Sequence, residues 1–67
     1  MQFEMWLREQ DLTYTEVAKR LGCSRPTVKY WAMGKHMPRP RYIKSIAKLT
    51  DGEVTFADFL AHWERQQ

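Results

Sequence analysis

The sequence predicts an all-α domain of five short helices, arranged around two that meet at a sharp corner. Three observations carry this reading. Apolar residues recur at helical spacing in separate stretches, residues 3–7, 17–21, 43–50 and 56–63. Helix-starting and helix-stopping residues punctuate the chain between them: Thr13, Gly22, Ser24, Gly34, Pro40, Gly52 and Thr55. Finally, the window from Tyr14 to Met33 places Ala18 fifth, Gly22 ninth, Val28 fifteenth and Trp31 eighteenth. A small fifth residue lets two helices approach, the glycine turns the corner, and the last two apolar residues pin the second helix onto the first. That is the spacing a helix-turn-helix requires.

Taken in order, residues 2–10 read as the first helix. Phe3, Trp6 and Leu7 form its inner stripe, and Glu4 and Arg8 are spaced as a helical ion pair. The aromatics of this helix are assigned to the core, covering the back of the helix-turn-helix. Thr13 followed by Glu16 is a capping box for a second helix over about 14–21, which buries Val17, Ala18 and Leu21. Its polar face carries Thr15, Lys19 and Arg20. Tyr14 stands at its first position, where free backbone N–H groups attract phosphate; its hydroxyl has two readings, a bond to a nucleic-acid backbone or a partly packed surface tyrosine.

Ser24 caps a third helix over about 25–33. Pro26 is tolerated as its second residue because the missing N–H has no intrahelical partner there. Val28 and Trp31 face inward, and Arg25, Pro26, Lys29 and Tyr30 face outward. Gly34 ends this helix, and residues 33–41, with two prolines, form a stiff loop bearing Lys35, Arg39 and Arg41. A fourth helix, from near Pro40 to about Thr50, turns Ile43, Ile46, Ala47 and Thr50 inward, and Asp51-Gly52 ends it. Thr55 and Asp58 cap a fifth helix over about 56–65 with the stripe Phe56, Phe59, Leu60 and Trp63. A domain of this size has little room for all four, so a surplus aromatic such as Trp63 falls either in the core or in a homodimer interface, with Met37, Tyr42 and Phe56 as companions.

Sixty-seven residues make one domain, 1–67, without repeat or linker. Such a chain buries only about 60% of its unfolded surface, so dimerisation is a natural source of further burial. A hydrophobic content of 43% argues against disorder. Cys23 stands alone, excluding an internal disulfide or a cysteine-rich zinc site, and reads as a small buried hydrophobe. His36 and His62 are too far apart for metal-ligand spacing, so no metal or other cofactor is expected. No nucleophile–base set, carboxylate pair or phosphate loop suggests an enzyme, and no small-molecule ligand is expected. No signal peptide or membrane span is discernible, which points to the cytoplasm.

Charge indicates the partner. Between Val17 and Thr50 there is no acidic residue, whereas Lys19, Arg20, Arg25, Lys29, Lys35, Arg39, Arg41, Lys44 and Lys48 lie there. The net charge of +3 is thus +9 in the middle of the chain and −6 at its ends. Solvated surfaces mix the two signs; a segregated basic block on a helix-turn-helix fits a polyphosphate. The outward face of the third helix supplies candidate base readers. Arg25 suits the O6 and N7 of guanine, a contact worth about 1–3 kcal/mol of discrimination, and Lys29 can do the same less rigidly. Pro26 and the methyl of Thr27 suit a thymine methyl, and Tyr30 donates to a base or phosphate. Candidate backbone contacts are Tyr14, Thr15, Lys19, Ser24, Thr27, Lys35, Arg39 and Arg41; Arg39 or Arg41 alternatively enters a narrow minor groove.

Leu12, Val17, Ala18, Leu21, Gly22, Val28, Trp31 and Gly34, with the order of elements, resemble the Cro/C1-type helix-turn-helix family of phage repressors and small operon autoregulators. The resemblance implies a lambda repressor-like fold and a homodimer that binds an inverted repeat in double-stranded DNA, one third helix in each of two successive major grooves. It places Arg25, Pro26, Lys29 and Tyr30 at base-reading positions and Tyr14, Lys35 and Arg41 at backbone positions. Pro26 departs from the polar residue usual at its position, and the loop over 35–39 carries an extra proline. With no second domain in its length, the chain is expected to be a small repressor or autoregulator of a phage or mobile-element operon: Cro-like, antitoxin-like or anti-CRISPR-associated. The competing expectation is a protein-interaction module that docks a partner on helix 56–63, with DNA binding secondary.

Overall fold

Helix-starting residues act within one turn of their own position, so the element boundaries follow the sequence closely. The computed structural model describes all 67 residues. It contains α1 (Phe3–Glu9), α2 (Tyr14–Leu21), α3 (Arg25–Ala32), α4 (Pro40–Leu49) and α5 (Phe56–Arg65), and no strand. Thr13 and Glu16 form a reciprocal capping box at the start of α2, and Thr55 and Asp58 form another at the start of α5. The Ser24 hydroxyl accepts from the Thr27 N–H at 3.4 Å, with Pro26 in the first turn of α3. No helix is long and apolar enough to cross a membrane.

The ends of α1, α2, α3 and α4 share one device. In each, a residue in the left-handed conformation is followed by an N–H that reaches back five residues to a carbonyl: Leu12 to Leu7, Cys23 to Ala18, Lys35 to Tyr30 and Gly52 to Ala47. The left-handed residue is Gly22 after α2 and Gly34 after α3, where no Cβ opposes it. After α1 and α4 it is Asp11 (φ 55°) and Asp51 (φ 54°). Aspartate is among the few side-chain-bearing residues that visit this region. α3 itself stops at Ala32, one residue short of the expected Met33, which adopts a cap conformation.

The core joins Phe3, Trp6 and Leu7 of α1, Val17 and Ala18 of α2, Val28, Trp31 and Ala32 of α3, Ile46, Val54 and Phe59. Each large side chain withdrawn from water contributes about 1.5–3 kcal/mol. α2 and α3 pack on each other, α1 backs α3, and α4 supports α2. The edge of one ring meets the face of the other between Phe3 and Phe59, at 5.5 Å, joining α5 to α1. Thr50 is buried with both functions of its hydroxyl used: it donates to the Ile46 carbonyl at 2.8 Å and accepts from the Val54 N–H at 3.1 Å. This bond carries the chain from α4 into the core at Val54.

That detail changes the reading of α5. Of its predicted inner stripe, only Phe59 is in the core; Leu60 and Trp63 are half-buried, and Phe56 is 52% exposed. Val54, just before the helix, is fully buried and joins the core from the connecting segment. Cys23 is half-buried against the core. Burial pushes its thiol above the ordinary value, which disfavours the thiolate.

Candidate nucleic-acid interface

Because Val28 and Trp31 are anchored inward, α3 must turn its opposite side to solvent. Arg25, Pro26, Lys29 and Tyr30, the four candidate base readers, are all exposed there. Thr15, Lys19 and Ser24 are exposed as well, while Thr27 is half-buried. The Ser24 and Thr27 hydroxyls lie 2.7 Å apart, so each has a partner within the cap before any external contact forms. The Tyr30 ring stacks at a tilt on His36, with centroids 5.1 Å apart, and this braces the C-terminal half of the exposed face against the following loop.

The electrostatics of this face are simple. The chain makes two ion pairs, between the Met1 ammonium and Asp58 and between Arg8 and Glu4. Neither involves any of the nine cations between residues 17 and 50. Those cations are therefore uncompensated within the fold, and Lys19, Arg25, Lys29, Lys35, Arg39 and Arg41 are all exposed. Arg41 is steered locally. Its guanidinium lies 4.7 Å from the Tyr42 ring centroid, and Nη2 donates to the Tyr42 hydroxyl at 3.0 Å. The remaining donors of the fork are free to meet an anion.

Tyr14 is partly packed rather than free. Its hydroxyl donates to Glu4 Oε2 at 2.6 Å, while Arg8 Nε lies 3.5 Å from Oε1 of the same carboxylate. The hydrogen bond to Glu4, followed by burial and the carboxylate charge, raises the phenol above its ordinary value. A phenol has one proton to give, so donation to a phosphate would require leaving Glu4. Over the face of the ring lies Arg25, its guanidinium carbon 5.7 Å from the centroid. Nothing in the sequence spacing links Glu4 to Tyr14 or Tyr30 to His36, because both contacts depend on how separate segments pack.

The four candidate dimer residues do not fall in one patch. Met37 and Tyr42 line a cleft with Thr27, Tyr30, Trp31, His36 and Arg39, and the Tyr42 ring packs 5.1 Å from Trp31. Phe56 lines a different, apolar cleft with Pro38, Pro40, Ile43 and Lys44. The loop separates the two by alternation: Met37 and Arg39 line one, Pro38 and Pro40 the other. Trp63 lines neither cleft.

Residues 4–56 match the sequence model of the family described as Helix-turn-helix. No curated protein and no solved structure matches the chain.

Proposed function

The chain belongs to the Cro/C1-type helix-turn-helix family of DNA-binding regulators, and from that premise we propose that it is a sequence-specific repressor that binds an inverted repeat as a homodimer. The observation that carries the reading is the set of unpaired cations around the exposed side of α3. α3 lies in the major groove with Arg25, Pro26, Lys29 and Tyr30 toward base edges. Thr15, Lys19, Lys35, Arg39 and Arg41 hold phosphates on either side, and Ser24 and Thr27 approach the backbone at the start of the helix. An autoregulatory role in a phage or mobile-element operon suits this architecture.

Size supports the dimer. The domain measures 28 × 23 × 23 Å, whereas successive major grooves on one face of the duplex lie about 34 Å apart. One copy cannot read both. The apolar cleft at Phe56 is the surface we assign to self-association, with Pro38, Pro40 and Ile43 as its floor. The exposure of Phe56 also favours the second reading, a docking site for a different protein, because an exposed apolar side chain next to an apolar cleft has the same chemistry for either occupant.

Selection of bound sequences from a random duplex pool at about physiological salt tests the proposal, since nonspecific binding is weak there. The expected result is an enriched inverted repeat with half-site centres about one helical turn apart. Arg25→Ala then relaxes preference at one base pair per half-site, and Lys35→Ala weakens all sequences alike and lowers the salt slope by about one. A single enriched half-site would remove the dimer, and binding without enrichment would favour the interaction-module reading.

A further inference from the structure

Arg25 is the first residue of α3 and is exposed, with no carboxylate within ion-pair distance. A free arginine of this kind samples many rotamers, and each must be given up when the guanidinium docks on a base edge. Here the side chain has a neighbour that narrows the choice, the Tyr14 ring at 5.7 Å. That ring belongs to the first turn of α2 and is itself held through its hydroxyl by Glu4 of α1. Both carboxylate oxygens of Glu4 are engaged, Oε2 by the Tyr14 hydroxyl and Oε1 by Arg8. Glu4, Arg8, Tyr14 and Arg25 line one cleft between the N-termini of α2 and α3 and the body of α1.

We propose that Tyr14 and Glu4 are positioning residues for base recognition: the Tyr14 ring carries the Arg25 guanidinium, and Glu4 fixes that ring, so discrimination at the base pair read by Arg25 depends on a carboxylate of α1 that does not itself touch DNA. The inference rests on the reading of Arg25 as a base-contacting residue. It assigns Tyr14 a role through its face rather than through donation to phosphate, because the hydroxyl proton is already committed to Glu4. The arrangement also has a cost. Glu4 is the one acidic side chain in this cleft, and its charge opposes a polyanion brought close to it. Glu4 should therefore lower affinity for all sequences while raising discrimination at one.

Those opposite signs make the test. Binding of the full chain is measured on its selected duplex and on the same duplex with the Arg25 base pair exchanged, at fixed salt, for the wild type and for Arg25→Ala, Tyr14→Leu, Tyr14→Phe and Glu4→Ala. Arg25→Ala should abolish discrimination at that pair. Tyr14→Leu should reduce it about two- to fivefold, with discrimination at other positions unchanged. Tyr14→Phe, which keeps the ring and its packing but not the bond to Glu4, should lose less than Tyr14→Leu. Glu4→Ala should bind every sequence more tightly and yet discriminate less at this pair, a combination that loss of structure would not produce. If Arg25→Ala relaxes the pair while Tyr14→Leu and Glu4→Ala leave discrimination intact, the positioning role is refuted and the base contact survives. If Arg25→Ala changes nothing, the base contact is refuted and the positioning role falls with it.

Discussion

Replacing Gly34 by alanine should unfold the protein far more readily than replacing Gly22, although both glycines end a helix of the same motif. The two have nearly equal backbone angles, φ +76° and +74°. The conformational part of the cost is therefore shared and amounts to about 1–2 kcal/mol for a residue bearing a Cβ. The surroundings differ. A Cβ at Gly22 meets nothing within 4 Å, whereas one at Gly34 would lie 2.8 Å from His62 Cδ2 and 3.0 Å from His62 Cγ and Gln66 Cγ. Gln66 is near the chain end and can yield. His62 is half-buried on α5, so its ring must move with the helix, at an overpacking cost of about 1–3 kcal/mol. Gly34→Ala should thus lose about twice the stability of Gly22→Ala. For a domain of this size each kcal/mol is about 4–8 °C in Tm, a gap readily measured by thermal unfolding followed by circular dichroism. The double variant Gly34→Ala/His62→Ala should recover part of the loss, appearing as a coupling of about 1 kcal/mol in a mutant cycle. Equal Tm values for the two alanine variants, or a cycle without coupling, would show that α5 does not rest on the end of α3.

Thr50→Val keeps the shape of the side chain but strands the Val54 N–H in the core, so it should cost about 1–3 kcal/mol in denaturant unfolding; a neutral result would mean that water reaches that group. Burial pushes the Asp58 carboxyl up, but hydrogen bonds from the Thr55 N–H, the Met1 ammonium and the Thr55 hydroxyl outweigh it, and the group lies below its ordinary value. A depressed carboxylate stabilises the fold above its unfolded value of about 3.9 and loses that contribution as pH falls through the folded one. Wild type should therefore exceed Asp58→Asn in Tm at neutral pH and converge with it in strong acid; a constant gap would assign the effect to packing. Tyr14 has the opposite sense: its raised phenol stabilises the fold below the unfolded value of about 10 and loses that contribution as pH rises through the folded one. Ultraviolet titration should show a tyrosine component that ionises above the ordinary value, and Tyr14→Phe should remove it; persistence of that component in Tyr14→Phe would refute the assignment.

Much of the candidate interface was legible before folding because it depends on short spacings. Thr13 with Glu16, Ser24 with Thr27 and Thr55 with Asp58 each act across three residues, so the starts of α2, α3 and α5 follow from the chain alone. Once α3 is a helix and Val28 and Trp31 face inward, Arg25, Pro26, Lys29 and Tyr30 must face outward. The stripe of α5 was less informative. Periodicity assigns Phe56, Phe59, Leu60 and Trp63 to one side of a helix, but it does not say how deeply that side sinks, and Val54 takes a core place from the connecting segment.

By itself the sequence determined the five helices, the corner at Gly22 and the separation of charge, because capping, periodicity and the signs of ionisable groups are properties of neighbouring residues. Only the tertiary structure decided which side chains separate helices bring together: Tyr14 against Glu4 and Arg25, Tyr30 against His36, Gly34 beneath His62, and Phe56 beside Pro38 and Pro40. Each of these depends on how one helix crosses or abuts another segment, and that geometry is set by the packing of the whole core rather than by any local stretch of chain.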